Sequence, residues 1–314
     1  MPKVFVLSPK EFVVHASISH SPVPSFLPPG SFARYSTLDW DRAAYNDVNE
    51  EGRKRKIIRP INRTPESPIQ VRHNFQIGTI NSSAGNGPTL HAHDYPEIFI
   101  PVHASFRVGY GPRGDKSAQI GLYDTFSIPV NVMRLFEANE IAPRESQMLS
   151  IFDTDRSDAR DGISITSEIA AIDKAQGLDQ GYAINDASDD PSPELIEQVH
   201  VARFALLPVW PEQGMLVRHV ISSANPRARL RTRHTIEVDF LEVPSGSCSD
   251  TYSSQCREVF VPIEGVTDLH WNGRAIDMER LDVLTVAPGV ERSIQAKGEG
   301  RTLMLRIRDT TNLQ

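Results

Sequence analysis

His91, His93 and Glu97 stand in the run Gly85-Asn-Gly-Pro-Thr-Leu-His91-Ala-His93-Asp-Tyr-Pro-Glu97. Side chains at i and i+2 of a strand point the same way, so both imidazoles project from one face and Glu97 keeps their parity. Two imidazoles and a carboxylate that converge inside a fold form a donor set for a divalent cation. With coordination positions left open, it is the set used by non-haem Fe(II) oxygenases. His-x-His alone is a weak signal, because histidines pair by chance on surfaces. The glutamate at fixed spacing and the preceding glycine make this run more specific. The competing reading is a pair of hydrogen-bonded interior or rim histidines that hold no metal.

Such a set needs rigid elements to aim it, and the chain supplies them twice. Residues 72–102 lie over 233–263 without a gap, at an offset of 161 (233 minus 72). Arg72-His73 falls on Arg233-His234, Gly85 on Gly246, and Glu97-Ile-Phe-Ile-Pro-Val on Glu258-Val-Phe-Val-Pro-Ile. Beyond that the offset is 158 (282 minus 124), so Asp124 falls on Asp282, Asn131 on Gly289 and Arg134 on Arg292. Order, spacing and residue type kept together over such a length mean duplication. Each copy holds short runs rich in branched and aromatic residues, bounded by Gly, Pro, Asn and Asp, which predict a β-sandwich or barrel. Helical signal is confined to Ser167-Glu-Ile-Ala-Ala-Ile-Asp-Lys-Ala and to Pro193-Glu-Leu-Ile-Glu-Gln-Val after Ser192. The expected organisation is a proline-rich arm over 1–70, a first barrel over 71–153, a linker with short helices over 154–200 and a second barrel over 201–314.

The chain has 314 residues, a net charge of -7 and a sequence pI near 5.8. An acidic surface disfavours a phosphate backbone, so nucleic acid is not expected as a partner. Of the basic clusters, Arg53-Lys54-Arg55-Lys56 reads as a solvated loop. The alternation of Arg227, Arg229, Arg231 and Arg233 reads as the charged face of a strand end. No apolar run approaches the roughly 18 residues a membrane span needs. The N-terminus lacks a secretory hydrophobic region, so a cytoplasmic protein is expected. Cys248 and Cys256 make no disulfide framework. Phosphate-loop, nucleophile-elbow and dinucleotide fingerprints are absent, so no organic cofactor is expected.

Gly85, His91, His93 and Glu97 resemble the first motif of the cupin superfamily, G-x5-H-x-H-x3–4-E-x6-G, with Ala104 at the last glycine. Pro129-Val-Asn131-Val-Met-Arg134 resembles the second motif, where Asn131 replaces a glycine because asparagine tolerates a left-handed backbone. The resemblance covers about 72–152 and 233–308. It implies an all-β chain with a few short helices: two tandem cupin, or jelly-roll, barrels similar to ring-cleaving dioxygenase-type bicupins. Arg134 stands where the family places its third metal histidine, and an arginine cannot ligate a cation. His73 and His103 are then the candidates for a fourth ligand. Arg134 itself is a candidate to hold a substrate carboxylate through a bidentate fork, or else bridges to Glu137 at the rim. In the second copy Tyr252 and Ser254 take the histidine positions, so that barrel is expected to hold no metal.

These features imply an enzyme using Fe(II) for a dioxygenase reaction on a small organic acid, aromatic acids included. The alternatives are a non-oxidative isomerase, lyase or decarboxylase with Mn, Ni or Zn, and a bicupin that binds a ligand without turnover. Paired barrels and the N-terminal arm suggest a homodimer.

Overall fold

The computed structural model describes residues 23–39, 55–85, 87–139, 146–156, 161–175, 177 and 181–311. Most of the arm, including Arg53 and Lys54 of the first basic run, lies outside them. The strands of the first half are β1 (Phe32–Ala33), β2 (Arg55–Ile61), β3 (Gln76–Ser82), β4 (Ala92–His93), β5 (Glu97–His103), β6 (Phe106–Tyr110), β7 (Lys116–Ile120), β8 (Thr125–Ile128), β9 (Arg134–Ala138) and β10 (Ser146–Phe152). The connection carries β11 (Ile163–Ile165), helix α1 (Ser167–Ala175), β12 (Ala183–Ile184) and the short helix α2 (Pro193–Leu195). Then follow β13 (Val201–Ala202), β14 (Trp210–Glu212), β15 (Met215–Ile221), β16 (Ile236–Val243), β17 (Arg257–Glu264), β18 (Val266–Trp271), β19 (Arg274–Met278), β20 (Val283–Val286), β21 (Arg292–Lys297) and β22 (Thr302–Asp309).

Two jelly-roll barrels result. The sheet β13-β8-β5-β10-β3-β2 faces β7-β6-β9 in the first, and β1-β20-β17-β22-β16-β15-β14 faces β19-β18-β21 in the second. Strand β5 is buried nearly throughout because both its faces are covered. Phe99 joins Phe106, Phe126 and Phe136 inside the first barrel. Ile98, Ile100 and Val102 pack instead against Val259, Leu305 and Ile307 of the second. A strand covered on both faces reads as a continuous apolar run rather than an alternating one, and EIFIPV is such a run. Glu97 shares the parity of Phe99, so the pleat carries it into the first barrel. Glu258 is carried into the second beside Phe260 in the same way.

The duplication reaches further than the spacing predicted. Residues 55–61, expected in the arm, form β2 and pair with β3. The described part of the arm crosses to the other barrel: Phe32 and Ala33 pair with Leu284 and Val283. Val201 and Ala202 make the matching pairing with Phe126 and Thr125 of the first barrel. Arg34 donates to Asp282 at 2.6 Å and Arg203 to Asp124 at 2.8 Å. The amides of Tyr35 and Phe204 donate to the same two carboxylates at 2.9 Å. Each repeat thus sends its leading strand to the partner barrel.

Three local expectations meet the structure differently. Residues 226–233 form a loop, not a strand, because Asn225-Pro226 opens a turn in which Asn225 accepts the Arg227 amide. Arg227 there lies over the Trp210 ring, and Arg229 donates to backbone carbonyls at 197 and 198. Helix α1 is capped by Thr166, whose hydroxyl accepts the Ile169 amide, while α2 starts as expected with Ser192 accepting the Leu195 amide. The connection is more than a linker: β11 pairs with β4, and β12-β11-β4 is a third small sheet beside the first barrel. No helix among the described residues is long and apolar enough to cross a membrane.

Candidate metal centre

His91 enters the barrel through a reciprocal backbone bridge with Arg134 (His91 N to Arg134 O, 3.1 Å; Arg134 N to His91 O, 2.7 Å). Its Nδ1 lies 2.7 Å from the Thr89 carbonyl. A carbonyl only accepts, so Nδ1 carries the proton and Nε2 is the nitrogen with a lone pair in the neutral ring. Strand β4 places His93 one pleat on, held on one side by β11 and on the other by the Asn131 amide, which donates to the His93 carbonyl at 2.8 Å. Asn131 has the left-handed backbone (φ 59°) that the motif requires, as does Gly289 in the second barrel (φ 76°).

The His93 ring is buried between His91 at 5.0 Å, the edge-on Tyr95 at 4.6 Å and the parallel Phe152 at 6.1 Å, all between ring centroids. Both its ring nitrogens are buried without a hydrogen-bond partner. Burial first, then the charge of Arg134, pushes its pKa well below the ordinary imidazole value, so the ring is neutral. Glu97 accepts from Ser150 at 2.7 Å on one oxygen, and from Arg134 Nη2 at 2.8 Å and Nε at 3.3 Å on the other. One ligand atom from each of His91, His93 and Glu97 lies within 4.8 Å of the others.

This donor set fits a divalent ion. A neutral buried imidazole whose lone pair meets no donor is the state a metal ligand must be in. A carboxylate has about four lone-pair positions, so Glu97 can keep Ser150 and Arg134 and still offer one. Among the described residues no fourth metal-binding side chain joins the three. His73, proposed for that role, is buried elsewhere with its Nε2 3.1 Å from Thr285 Oγ1, and His103 lies at the far end of β5. Arg134 is not at the rim. It is 1% exposed and paired with Glu97, whereas Glu137 pairs with Arg107 at 3.0 Å.

Residue spacing did not single out Tyr95, Ser150 or Phe152. Tyr95 had a legible signal, since it sits between His93 and Glu97 at matching parity. Its phenol is held protonated, chiefly by burial and then by the Glu97 charge. Ser150 and Phe152 come from β10, more than fifty residues from Glu97, and only the pairing of β10 with β5 brings them in.

The second barrel makes the contrast. Tyr252 and Arg292 form the same reciprocal bridge as His91 and Arg134, and Arg292 donates to Glu258 at 2.6 Å. Register places Arg306 and Asp239 where the first barrel has Ser150 and Gly78. Arg306 donates to Asp239 at 2.8 Å and stands 3.9 Å from Glu258. A charged network thus stands where the first barrel has a serine and a glycine.

No protein-family model matches the sequence, and no curated protein matches it. Among solved structures the chain is similar to an oxalate decarboxylase from Bacillus subtilis, with a TM-score of 0.61 and 14% identity over 90% of this chain and 77% of that one. It is also similar to the Lactobacillus farciminis oxalate decarboxylase in its formate complex, with a TM-score of 0.61 and 13% identity over 92% and 87%. At such identities the likeness shows the fold: two tandem cupin barrels.

Proposed function

We propose that this two-barrel cupin uses its first barrel to bind a divalent metal and a small carboxylic acid, and that it breaks the acid down without net oxidation, as a decarboxylase or related lyase. The observation that carries the reading is His93, neutral, buried and unpartnered at both nitrogens beside His91 and Glu97. Support for the non-oxidative class comes from the fold neighbours, which are oxalate decarboxylases. Nothing found favours the dioxygenase suggested by the open coordination positions.

His91, His93 and Glu97 would hold the ion, manganese being the first choice. When bound it supplies Lewis-acid polarisation of a substrate oxygen. The remaining work falls to the chain. Arg134 keeps Nη1 without a partner in the buried site, a donor suited to a substrate carboxylate. Tyr95 and Phe152 pack over His93 and exclude water. Loss of CO2 breaks a carbon–carbon bond and leaves its electron pair on carbon, where a proton must follow. Tyr95 Oη holds such a proton at neutral pH.

The test is to load the purified protein with Mn(II), supply oxalate first and then other small acids, and follow CO2 and the residual acid alongside dissolved oxygen. CO2 release without stoichiometric oxygen uptake, lost together with metal in His91→Ala, is the expected result. Oxygen consumed one for one with substrate would restore the dioxygenase reading. A second reading, ligand binding without turnover, is favoured by the Arg134–Glu97 pair, because the second barrel keeps the same pair without histidines. Metal retention with no acid consumed would select it.

A further inference from the structure

Arg134 donates through Nε and Nη2 to one oxygen of Glu97, and Ser150 donates to the other. In the second barrel Arg292 pairs with Glu258 at 2.6 Å, and Tyr252 and Ser254 stand in place of the histidines. There Arg292 is the close counter-charge of the buried glutamate, and Arg306, 3.9 Å away, is itself paired with Asp239. In the first barrel a divalent ion on His91, His93 and Glu97 must share one carboxylate with a guanidinium that is 1% exposed. Repulsion between neighbouring cations is poorly screened where water is excluded. An anion that accepts from the unpartnered Nη1 of Arg134 and fills an open position on the ion supplies the missing negative charge.

We propose that the first barrel takes up a divalent cation and a small carboxylate as a pair, each raising the affinity for the other, with Arg134 as the coupling residue. Without the anion, the charge of Arg134 beside the shared Glu97 opposes that of the metal. With the anion, the same guanidinium becomes its receptor. The coupling is reciprocal by thermodynamic necessity. This rests on the metal reading above but is separable from it.

The experiment is Mn(II) binding to the full chain, followed by calorimetry and by the electron paramagnetic resonance signal of free Mn(II), with and without millimolar acetate, a carboxylate that chelates Mn(II) weakly in water. Acetate is expected to tighten Mn(II) binding by about tenfold or more. Arg134→Gln is expected to bind Mn(II) more tightly than the wild type when acetate is absent, and to lose the acetate effect. Arg292→Gln, in the barrel without histidines, is expected to keep wild-type binding and coupling. Equal Mn(II) affinity with and without acetate in the wild type overturns the proposal, and that measurement stands even should Arg134→Gln fail to fold. Weaker Mn(II) binding by a folded Arg134→Gln protein overturns it too. Metal bound through His91 without coupling leaves the metal reading intact. No Mn(II) bound under either condition removes that reading itself.

Discussion

At the scale of single residues the site is a balance of one buried negative charge against two candidate positive ones. Glu97 accepts from both Ser150 and Arg134. Ser150→Ala removes a buried donor at 2.7 Å and leaves that oxygen unsatisfied, so a loss of about 1–3 kcal/mol in urea unfolding is expected. The proposed role of Tyr95 is separate from holding the ion. Tyr95→Phe keeps the aromatic wall on His93 but removes the proton at Oη. Mn(II) content is expected to stay at the wild-type level while turnover of the acid falls by roughly 100-fold or more. Parallel loss of metal and turnover in that variant would make Tyr95 a packing residue only.

At the scale of elements, the strands that each repeat exchanges are pinned by homologous ion pairs of unequal burial. Asp282 is fully buried against Arg34, while Arg203, beside Asp124, is 29% exposed. Arg34→Ala strands a buried carboxylate and should cost about 3–5 kcal/mol. Arg203→Ala should cost nearer 1 kcal/mol, because water can replace part of the lost partner. Thermal melts of both variants check the ordering, and equal costs would mean that the difference in burial does not set the strength of the two pairs. Strand β14 is fastened differently. His219 on β15 lies 3.0 Å from Glu212 of β14 and 2.8 Å from Asp239, and these carboxylates, Asp239 first, raise its pKa. The folded protein therefore holds this proton more tightly than the unfolded chain does. Its contribution is complete below the ordinary imidazole value of 6.5 and is lost as pH rises through the raised folded value. The stability gap between wild type and His219→Gln should be wider at about pH 6 than at about pH 9, as read from denaturant midpoints. A gap independent of pH would mean that His219 is neutral there.

At the scale of the whole molecule, the largest apolar cluster lies between the barrels, where β5, β10, β17 and β22 meet back to back. His234 strengthens that seam from the second repeat. Its Nε2 lies 2.8 Å from Ser127 Oγ and its Nδ1 2.9 Å from Asp153. The order serine, histidine, aspartate is that of a hydrolase triad, but Ser127 is 2% exposed in the seam, and the network works as a clamp. With this much surface shared, the barrels should unfold together. Leu305→Ala, at the seam, should lower the stability of both by about 2–5 kcal/mol in one calorimetric transition. Two resolved transitions, with only the second shifted, would show barrels that fold separately. The exchanged strand β1 pairs within its own chain, which removes the described arm as an argument for a homodimer.

The sequence by itself determined the duplication, the β class and the three side chains that converge as a candidate metal site. All of these are local or periodic: the motif spacing sets which side chains share a face, and a repeat is visible without any contact being known. It also carried a signal that spacing over the motifs alone did not pick up. Phe32-Ala-Arg-Tyr-Ser-Thr-Leu38 matches Val201-Ala-Arg-Phe-Ala-Leu-Leu207, the two arm segments that pair alike on opposite barrels. What the tertiary structure alone decided is where the partners of those side chains come from. The fate of Arg134, rim bridge or buried pair, depends on the depth at which the β9 end meets Glu97. The identity of Ser150 as the second donor depends on the register of β10 against β5. Register and depth are set by packing between residues far apart in the chain, and no local pattern records them.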